Sequence, residues 1–481
     1  MARGLPTSEN DATGGHMDYD VIVIGAGAGG EAAGSLSAEL GGKVAVIERD
    51  LVGGLCGFWA CMPSKTLLDS AARHWLDGRY PWPWASDRRD WMISREGIDY
   101  PDDTGHIRSL ESAGAEVVKA EARLLAPGRV EVRADGGSAR TVKTRSVILC
   151  TGSVPVIPKI EGLNEAGYWT SNDGTALRDL PSSIVVMGGG AVGTELAQVY
   201  GRFGVKTTLV QGTDRILPRD HPKSAEVLTG QLREEGVDIR TGVTATGVRR
   251  GGTGKVVELS DGSTVEAAEV MVAVGRRPSD LRGLGAAEAG VTLDGKGVAH
   301  PDDRMSVAEG VYVAGDAAGG MQFTHVADYE GRVAARAALG QETRADLSAV
   351  PRTTFTDPET SAVGMTLQEA WEKGHDAFEV TADFATSARG FTLEPRREAD
   401  GPIKEGSAGH ITGVIDRERR LLLGAFAACP GASEMIHEAV LAIKRSIPVE
   451  VLADTIHAFP TGARVFGNLM AEARDRCEAR D

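Results

Sequence analysis

Two cysteines, Cys56 and Cys61, flank four residues and are followed by a Pro-Ser-Lys sequence. In a straight α-helix, residues five apart lie on different faces, with Cα atoms about 8 to 9 Å apart. A disulfide requires Cα atoms within about 7 Å of each other. Pro63 lacks an N–H and suits a first helical turn. We therefore predict an irregular opening turn over residues 56–61 and a regular helix from Pro63 onward.

A thiol at a helix N-terminus lies near a positive partial charge, which lowers its pKa and makes it a competent nucleophile. Cys56 and Cys61 are therefore predicted to form a redox dithiol/disulfide couple. The alternatives are a structural disulfide, two reduced core cysteines or half of a zinc site. Cys150, Cys429 and Cys477 are scattered singly without metal-ligand spacing, so we predict no metal site.

The segment before these cysteines has the pattern of a dinucleotide-binding unit. A β-branched run ending at Ile24 predicts a buried parallel strand. It leads into GAGAGG, which contains Gly25, Gly27 and Gly30, and then into an Ala-rich helix. The next strand ends in Glu48. Such glycines let the backbone approach a pyrophosphate at the helix N-terminus, and the acid would bind a ribose hydroxyl.

The same pattern occurs a second time. An apolar strand precedes GGGAVG, which contains Gly188, Gly190 and Gly193, and a helix follows. The position that corresponds to Glu48 is Gln211. Two such units predict two bound nucleotides, one held permanently and one exchanging. The alternative is a second unit that has lost its ligand.

Length and composition limit the class of protein. A chain of 481 residues suits about three domains. The formal charge of −16 argues against a nucleic-acid surface. Five cysteines are too few for a disulfide-rich secreted scaffold, so we expect a cytoplasmic protein. Residues 1–16 are polar and are expected to be a disordered tail, neither signal peptide nor membrane anchor.

The remaining segments predict the other elements. Residues 106–125 are predicted to form a helix, followed by strands near 129–133 and 140–149. Residues 75–105 are predicted to be irregular; their four tryptophans favour packing over a substrate-facing insertion. From about residue 350 the glycine-rich turns cease and strands alternate with helices, which predicts an α+β domain. The predicted strands are Thr353–Phe355, Gly409–Ile415 and Leu421–Phe426, and the predicted helices are Thr366–Lys373 and Ser433–Arg445.

The fold class is therefore α/β, with two Rossmann-like dinucleotide-binding domains and a C-terminal α+β domain. The order of the motifs resembles that of the two-dinucleotide flavoprotein disulfide reductases, which include dihydrolipoamide dehydrogenase, glutathione reductase and mercuric reductase. The resemblance spans Tyr19 to Leu469. Besides the cysteine stretch and the two fingerprints, it rests on Thr151-Gly152, Glu195, Gly275-Arg276-Arg277-Pro278, Gly315-Asp316, Phe355–Glu359 and Val363-Gly364.

The resemblance implies FAD in the first nucleotide site and NADPH or NADH in the second. It implies that Cys61 is the thiolate beside the flavin, that Cys56 is the exposed interchange thiol, and that Lys65 pairs with Glu195 near flavin N5. It also implies a homodimer whose active site is shared between subunits, and a membrane partner is not expected. The implied domains are FAD-binding (18–155 and 280–349), NAD(P)-binding (156–279) and interface (350–470), with tails at 1–17 and 471–481. Asp316 would reach the ribityl chain.

The chain departs from that family near its C-terminus. Disulfide-exchanging members carry His-Pro-Thr-x-x-Glu, in which the His is the acid/base for the interchange thiol. Here Phe459 and Arg464 occupy the His and Glu positions, and neither can shuttle a proton. His457, two residues earlier, is a candidate surrogate base. Cys477 only weakly resembles the C-terminal cysteine pair of mercuric reductases.

These departures predict an NAD(P)H-dependent flavin reductase that uses Cys56 and Cys61 on a non-standard acceptor. That acceptor would be a small disulfide, a thiol-bound metal ion or a quinone-like oxidant. One alternative is a dihydrolipoamide dehydrogenase with a relocated base. Another is a redox-sensing flavoprotein with little turnover. For the nicotinamide cofactor, Gln211 favours NADPH or dual use.

Overall fold

The computed structural model describes residues 17–94, 101–134, 137–252, 254–393 and 408–479. Two compact units divide the chain. The first unit comprises Met1–Pro63, Arg88–Val156 and Arg276–Asp346, and the second comprises Ser64–Asp87, Ile157–Gly275 and Leu347–Asp481. The first unit contains most of the two segments predicted to form the FAD domain, but residues 64–87 and 347–349 belong to the second unit. Within the described ranges, no helix is long and apolar enough to cross a membrane.

The strands in chain order are β1 (Tyr19–Ile24), β2 (Val44–Glu48), β3 (Glu116–Lys119), β4 (Glu121–Ala126), β5 (Arg129–Arg133), β6 (Arg140–Leu149), β7 (Ser153–Pro155), β8 (Ser183–Met187), β9 (Lys206–Gln211), β10 (Asp238–Thr241), β11 (Ala245–Gly251), β12 (Gly254–Leu259), β13 (Thr264–Ala267), β14 (Glu269–Val272), β15 (Arg276–Pro278), β16 (Ser306–Ala308), β17 (Val311–Val313), β18 (Arg352–Thr354), β19 (Thr360–Gly364), β20 (Ala377–Asp383), β21 (His410–Asp416) and β22 (Leu421–Ala428).

The α-helices in chain order are α1 (Ala28–Glu39), α2 (Gly54–Phe58), α3 (Cys61–Asp77), α4 (Trp82–Ser94), α5 (Thr104–Ser112), α6 (Leu163–Ala166), α7 (Ser171–Thr175), α8 (Ala191–Arg202), α9 (Pro222–Glu234), α10 (Thr324–Ala338), α11 (Leu367–Glu372), α12 (Ala388–Phe391), α13 (Ala432–Lys444), α14 (Val449–Asp454) and α15 (Gly462–Glu478). Among the described residues, 3-10 turns cover Ala287–Ala289 and Gly315–Ala318.

The first unit is built on an eight-stranded sheet with the order β16-β17-β6-β1-β2-β3, to which β5 and β4 add beyond β6. Its centre is parallel, because β1 pairs in parallel with both β2 and β6. The side chains of β1 from Val21 to Ile24 are buried, as its apolar run predicted. Helix α10 packs closely on α1, since a Cβ at Gly331 would lie 2.3 Å from the carbonyl oxygen of Gly29.

The described residues of the second unit form three sheets. The parallel sheet β10-β9-β8-β14 carries the second nucleotide-binding pattern, and β11-β12-β13 form an antiparallel sheet. The C-terminal part has the antiparallel order β18-β19-β22-β21-β20. The core of this part includes residues from α13 and α15 packed on that sheet. The prediction of an α/β fold with a C-terminal α+β part is confirmed.

Several local predictions were wrong. The predicted helix over residues 106–125 is α5 followed by β3 and β4. The helix ends because Gly114 adopts φ +99°, and the β-branched Val117 and Val118 then pair with β2. Residues 75–105 contain the end of α3 and all of α4, although residues 95–100 lie outside the described ranges. The predicted C-terminal tail from residue 471 continues α15 as far as Glu478.

The cysteine stretch is more helical than predicted. Helix α2 forms one turn around Cys56, and α3 begins at Cys61 rather than at Pro63. The first N–H groups of a helix have no intrahelical partner, so Pro63 is tolerated as the third residue and the helix can begin before it. Of the tryptophans, Trp82 is buried and donates from Nε1 to the carbonyl oxygen of Arg178 at 2.8 Å, as the packing interpretation predicted. Trp84 and Trp91 are exposed.

Candidate active site

The first unit carries the Cys61 end of the cysteine pair. The Sγ atom of Cys61 lies 3.2 Å from the Oγ1 atom of Thr324. Cys61 is the first residue of α3, and Thr324 is the first residue of α10. The sulfur therefore lies at the N-termini of two helices, where the aligned peptide dipoles favour a negative charge.

The first fingerprint has the geometry that its glycines predict. A Cβ at Gly30 would lie 1.9 Å from the carbonyl oxygen of Gly25, so only glycine allows the turn to close. At Gly27, the N-cap of α1, a Cβ would meet nothing within 4 Å, so the backbone there is open to a phosphate. Glu48 accepts the N–H groups of Ala26 and Asp50, each at 2.7 Å. These bonds hold the glycine loop against the end of β2.

A polar chain lies at the Gly315-Asp316 end of the same unit. Ser153 donates a short hydrogen bond to Asp316 and accepts one from Arg276 Nε at 2.8 Å. Glu330, a buried residue of α10, accepts the N–H of Gly315 at 2.8 Å. Burial raises the pKa of Glu330 to about 7. The loop that presents Asp316 is therefore fastened from both sides.

One buried polar atom at this site has no partner in the described structure. The Oγ1 atom of Thr151, which follows β6, is shielded from solvent and makes no hydrogen bond there. Buried hydroxyl groups are almost always hydrogen-bonded, so an unpaired one has a free valence for a bound group or a water molecule. Together with the open backbone at Gly27 and the Asp316 carboxylate, it fits FAD. Thr151, Gly27, Gly152 and Asp316 would hold the cofactor.

Replacing Thr151 with valine should separate cofactor binding from protein stability. We expect FAD affinity to fall by about 2- to 12-fold, because one hydrogen bond contributes about 0.5 to 1.5 kcal/mol. The apoprotein should unfold at an equal or higher denaturant concentration, since an unpaired buried hydroxyl is removed. FAD titration and urea unfolding of the apoprotein measure the two effects. A destabilised apoprotein with unchanged FAD affinity would contradict this assignment.

The second fingerprint repeats the first in the second unit. A Cβ at Gly193 would lie 1.8 Å from the carbonyl oxygen of Gly188, and the backbone at Gly190, the N-cap of α8, is open. Gln211 Oε1 accepts the N–H of Gly189 at 2.7 Å, as Glu48 does in the first unit. Its Nε2 donates to Thr213 Oγ1 at 2.6 Å. The glycine loop is intact, which favours a bound nucleotide over a vestigial unit.

The predicted pairing of Lys65 with Glu195 is confirmed, whereas its catalytic role stays a prediction. Lys65 Nζ donates to both carboxylate oxygens of Glu195, at 2.9 and 2.7 Å. The Glu195 side chain is only 5% exposed and also accepts the N–H of Phe355 at 2.9 Å. The ammonium lies 4.9 Å from the centre of the Phe355 ring. Lys65 is thus fixed by one carboxylate and one aromatic face.

Replacing Lys65 with methionine should lower the free energy of unfolding by about 2 kcal/mol. Removing one partner of a fully buried pair costs about 3 to 5 kcal/mol. We expect a smaller loss here because the Lys65 side chain is partly exposed. The double variant Lys65→Met with Glu195→Gln should recover most of this loss, because no charge is then left buried. Denaturant unfolding of all three proteins tests this. A double variant less stable than Lys65→Met would show that the carboxylate is needed for another reason.

The C-terminal residues differ sharply in exposure. The His457 side chain is 6% exposed, and its Nε2 lies 2.9 Å from Oε1 of Glu438 on α13. Its Nδ1 has no hydrogen-bond partner among the described residues and faces Gly467, where a Cβ would lie 2.4 Å away. By contrast, 74% of Phe459 is exposed, and Arg464 is also exposed. The His457 side chain is thus buried between Glu438 of α13 and Gly467 of α15.

The other cysteines suit structural roles. Burial raises the pKa of Cys150 and of Cys429 to about 12. Burial also raises the pKa of Cys477, which packs against the C-terminal core. Among the described residues, no group of three or more His, Cys, Asp or Glu side chains could hold a metal ion.

Three side chains that contact the predicted site residues were not predicted from the sequence. Ser153 links Arg276 to Asp316, Thr324 meets Cys61, and Glu330 holds Gly315. Ser153 directly follows Thr151-Gly152, so its position was a usable signal. Thr324 and Glu330 lie on a helix without a recognisable motif, and only the folded chain brings them to the site.

The comparisons with known proteins identify the family. Residues 19–331 match the family model described as pyridine nucleotide-disulphide oxidoreductase. The chain belongs to this family. Residues 350–470 of the oxidoreductase match the dimerisation domain of the same family. Its members are enzymes that use FAD and NAD(P)H.

The oxidoreductase is similar along most of its length to relatives with different names. It is 35% identical over 455 residues to the dihydrolipoyl dehydrogenase of Thermus scotoductus, covering 92% of this chain and 95% of that protein. It is 31% identical over 458 residues to the mercuric reductase of Staphylococcus aureus, covering 93% and 81%. The Cu(II) complex of the HOCl-induced flavoprotein disulfide reductase RclA from Escherichia coli superposes with a TM-score of 0.82 at 25% identity, covering 94% and 99%.

Proposed function

We propose that the oxidoreductase passes electrons from NAD(P)H through FAD and the Cys56–Cys61 pair to a thiol-bound soft metal ion. The observation that carries the proposal is the identity of the two residues where disulfide-exchanging relatives have a His and a Glu. Phe459 has no titratable group, and Arg464 keeps its proton at all ordinary pH values. Acceptors that need a proton at sulfur are therefore disfavoured, whereas a metal ion bound by thiolate needs none.

Each protein residue would have a distinct role in this electron transfer. FAD, when bound, supplies hydride acceptance and electron transfer to the disulfide. Lys65, whose ammonium is held by Glu195, would supply the positive charge that the family resemblance implies near flavin N5. The helix N-termini at Cys61 and Thr324 would stabilise the thiolate next to it. Cys56 would bind the acceptor.

The acceptor class has support from the relatives. Mercuric reductases are among the proteins more than 30% identical to this chain, and one of the matching solved structures of RclA is a Cu(II) complex. Thiolates are the preferred ligands of soft metal ions. NAD(P)H supplies two electrons and a proton for each hydride. They would reduce one divalent ion such as Hg(II) to the element or two Cu(II) ions to Cu(I), and the proton would be released.

We also propose a homodimer with a shared active site. The match to a dimerisation domain supports it, as do two exposed apolar residues in the segment before α15. Ile456 is 95% exposed and Phe459 is 74% exposed. Apolar side chains this exposed mark an interaction surface when they lie together. In that assembly Arg464 would approach the partner's dithiol and favour its thiolate form.

His457 is better suited to anchoring the segment before α15 than to transferring protons. One ring nitrogen is engaged by Glu438 and the other faces Gly467 on α15. A general base must reach the proton that it removes, directly or through one water. The role of surrogate base therefore requires a rearrangement of this segment.

A dihydrolipoamide dehydrogenase activity is the second candidate, because the 35% identical relative carries that name. Steady-state NAD(P)H oxidation with Hg(II), Cu(II), lipoamide, oxidised glutathione and a quinone separates the candidates. We expect continuous turnover with a thiol-bound metal ion. Efficient turnover with lipoamide alone would favour the second candidate. A single reduction that then stops would indicate a sensor.

We propose NADPH or dual cofactor use, and Gln211→Glu should shift the preference toward NADH. A carboxylate there would repel a 2′-phosphate, whereas the neutral amide does not. We expect the ratio of kcat/KM for NADPH to that for NADH to fall by about tenfold or more. Steady-state rates with both cofactors measure it. An unmodified enzyme that prefers NADH by about a hundredfold would overturn the proposal.

A further inference from the structure

A histidine–carboxylate pair lies directly against the turn that carries Cys56. His106 on α5 places its Nδ1 atom 2.7 Å from Oε1 of Glu31, in the first turn of α1. The ring also packs on the buried Phe58, with centroids 5.5 Å apart. This pair belongs to the first unit and takes no part in the chemistry proposed above. Glu31 fixes the orientation of the ring, and the ring meets the last residue of α2.

The imidazole fits because two glycines flank Cys56 in the turn. A Cβ at Gly53 would lie 2.8 to 2.9 Å from three atoms of the His106 ring, including Nε2. At Gly57 it would lie 3.4 Å from Nε2. Real Cβ contacts do not approach as closely as the first of these distances. The His106 ring therefore packs directly against the backbone of the glycines on both sides of Cys56. Gly53 also adopts φ +107°, which favours glycine.

Other contacts hold the same turn. Asp103, the N-cap of α5, accepts the N–H of Val52 at 2.9 Å. The N–H of Gly53 donates to the carbonyl oxygen of Ala26 at 2.7 Å, and a Cβ at Gly54 would lie 2.8 Å from the Cα of Gly27. The turn is thus in contact with the first glycine loop on one side and with the N-terminus of α5 on the other. His106 is the side chain that covers its α5 face at Gly53 and Gly57.

We propose that His106, oriented by Glu31, is a positioning residue that holds the Cys56 turn in the geometry for disulfide formation with Cys61. A turn held in place restricts Cys56 in the dithiol form, so less entropy is lost when the disulfide closes. Removing the ring frees the dithiol form more than the cross-linked form. The equilibrium then moves toward the dithiol. The inference rests on the proposed function of Cys56 and Cys61 as a redox pair.

The test is the equilibrium of the FAD-loaded protein with mixtures of reduced and oxidised dithiothreitol. Two electrons and two protons pass from the reagent dithiol to the Cys56–Cys61 disulfide, and the reagent closes its own disulfide. Acid quenching, alkylation and peptide mass spectrometry give the fraction reduced. We expect His106→Ala to change the equilibrium constant about tenfold toward the dithiol, which corresponds to about 30 mV.

A double-mutant cycle tests whether Glu31 acts through His106. Glu31→Ala should shift the equilibrium in the same direction by about threefold, and the double variant should match His106→Ala alone. His300→Ala is the matched control, since His300 pairs with Asp294 at 3.1 Å in the same unit. It should leave the equilibrium unchanged. If His106→Ala does not retain FAD, His106→Asn, which can still donate to Glu31 but lacks the ring, should show the same sign of shift.

The possible outcomes are distinct. A disulfide that forms normally, with an equilibrium constant unchanged within about twofold in the His106 variants, overturns this inference and leaves the proposed function intact. Additive effects of Glu31→Ala and His106→Ala overturn the role given to Glu31. Failure of Cys56 and Cys61 to form a disulfide in the unmodified protein overturns the proposed function itself.

Discussion

Replacing Cys61 with serine should lower metal-dependent NAD(P)H oxidation by at least about 10³-fold, as expected when a nucleophile is removed. The same change should abolish the long-wavelength thiolate-to-flavin absorbance that reduction produces in the unmodified protein. A serine hydroxyl at the N-termini of α3 and α10 is neutral and cannot supply this charge. Anaerobic spectra and steady-state rates measure the two effects.

The matched control is Cys429→Ala, which removes a buried thiol from the C-terminal core. Its rates and spectra should equal those of the unmodified protein, although its stability should fall slightly. Cys56→Ser should retain the long-wavelength band and lose turnover. A band that persists in Cys61→Ser would reverse the assignment of the two thiols.

Building the missing dyad should create disulfide exchange. The double variant Phe459→His with Arg464→Glu should raise turnover with dihydrolipoamide by about 10²-fold or more, because a positioned acid/base contributes roughly 10² to 10⁴. Metal-dependent turnover should fall, since the cation proposed to favour the partner's thiolate is removed. Initial rates of dihydrolipoamide oxidation by NAD⁺ or NADP⁺, and of metal-dependent NAD(P)H oxidation, each measured across pH, test this. The new activity should follow the titration of one histidine.

The local structure indicates that this double variant should fold as stably as the unmodified protein. Thr461 is the N-cap of α15, and its Oγ1 atom accepts the N–H of Arg464 at 3.1 Å. A glutamate at position 464 would complete a capping box and suit the helix dipole better than arginine does. We therefore expect Arg464→Glu to stabilise the protein by about 0.5 to 1 kcal/mol. An unmodified enzyme that already exchanges dihydrolipoamide rapidly would contradict the account, and His457 would be the next residue to replace.

The sequence predicted features that depend on local pattern. Each fingerprint combines a strand, a glycine loop and a polar residue about 20 positions later, and the fold class followed from it. The backbone N–H groups that Glu48 and Gln211 accept were not predicted. The segment 106–125 was assigned wrongly because its alanines and charged residues suit a helix. There, pairing of Val117 and Val118 with β2 outweighs helix propensity.

Contacts between distant residues were beyond the sequence alone. Lys65 and Glu195 are 130 positions apart, and only the family resemblance joined them. Cys61 and Thr324 are 263 positions apart, and Glu31 and His106 are 75 apart, with no motif to connect them. Such pairs are set by how helices cross the sheets. Local periodicity carries no information about that arrangement.

The central claim is that electrons from NAD(P)H reach Cys56 and Cys61. The direct measurement is anaerobic addition of one equivalent of NADPH to the oxidised protein, followed by quenching, alkylation and peptide mapping. The account predicts that both cysteines resist alkylation before reduction and are labelled after it, while the main flavin absorbance is retained. A flavin that is bleached by the first equivalent, with Cys56 and Cys61 equally labelled before and after, would contradict it.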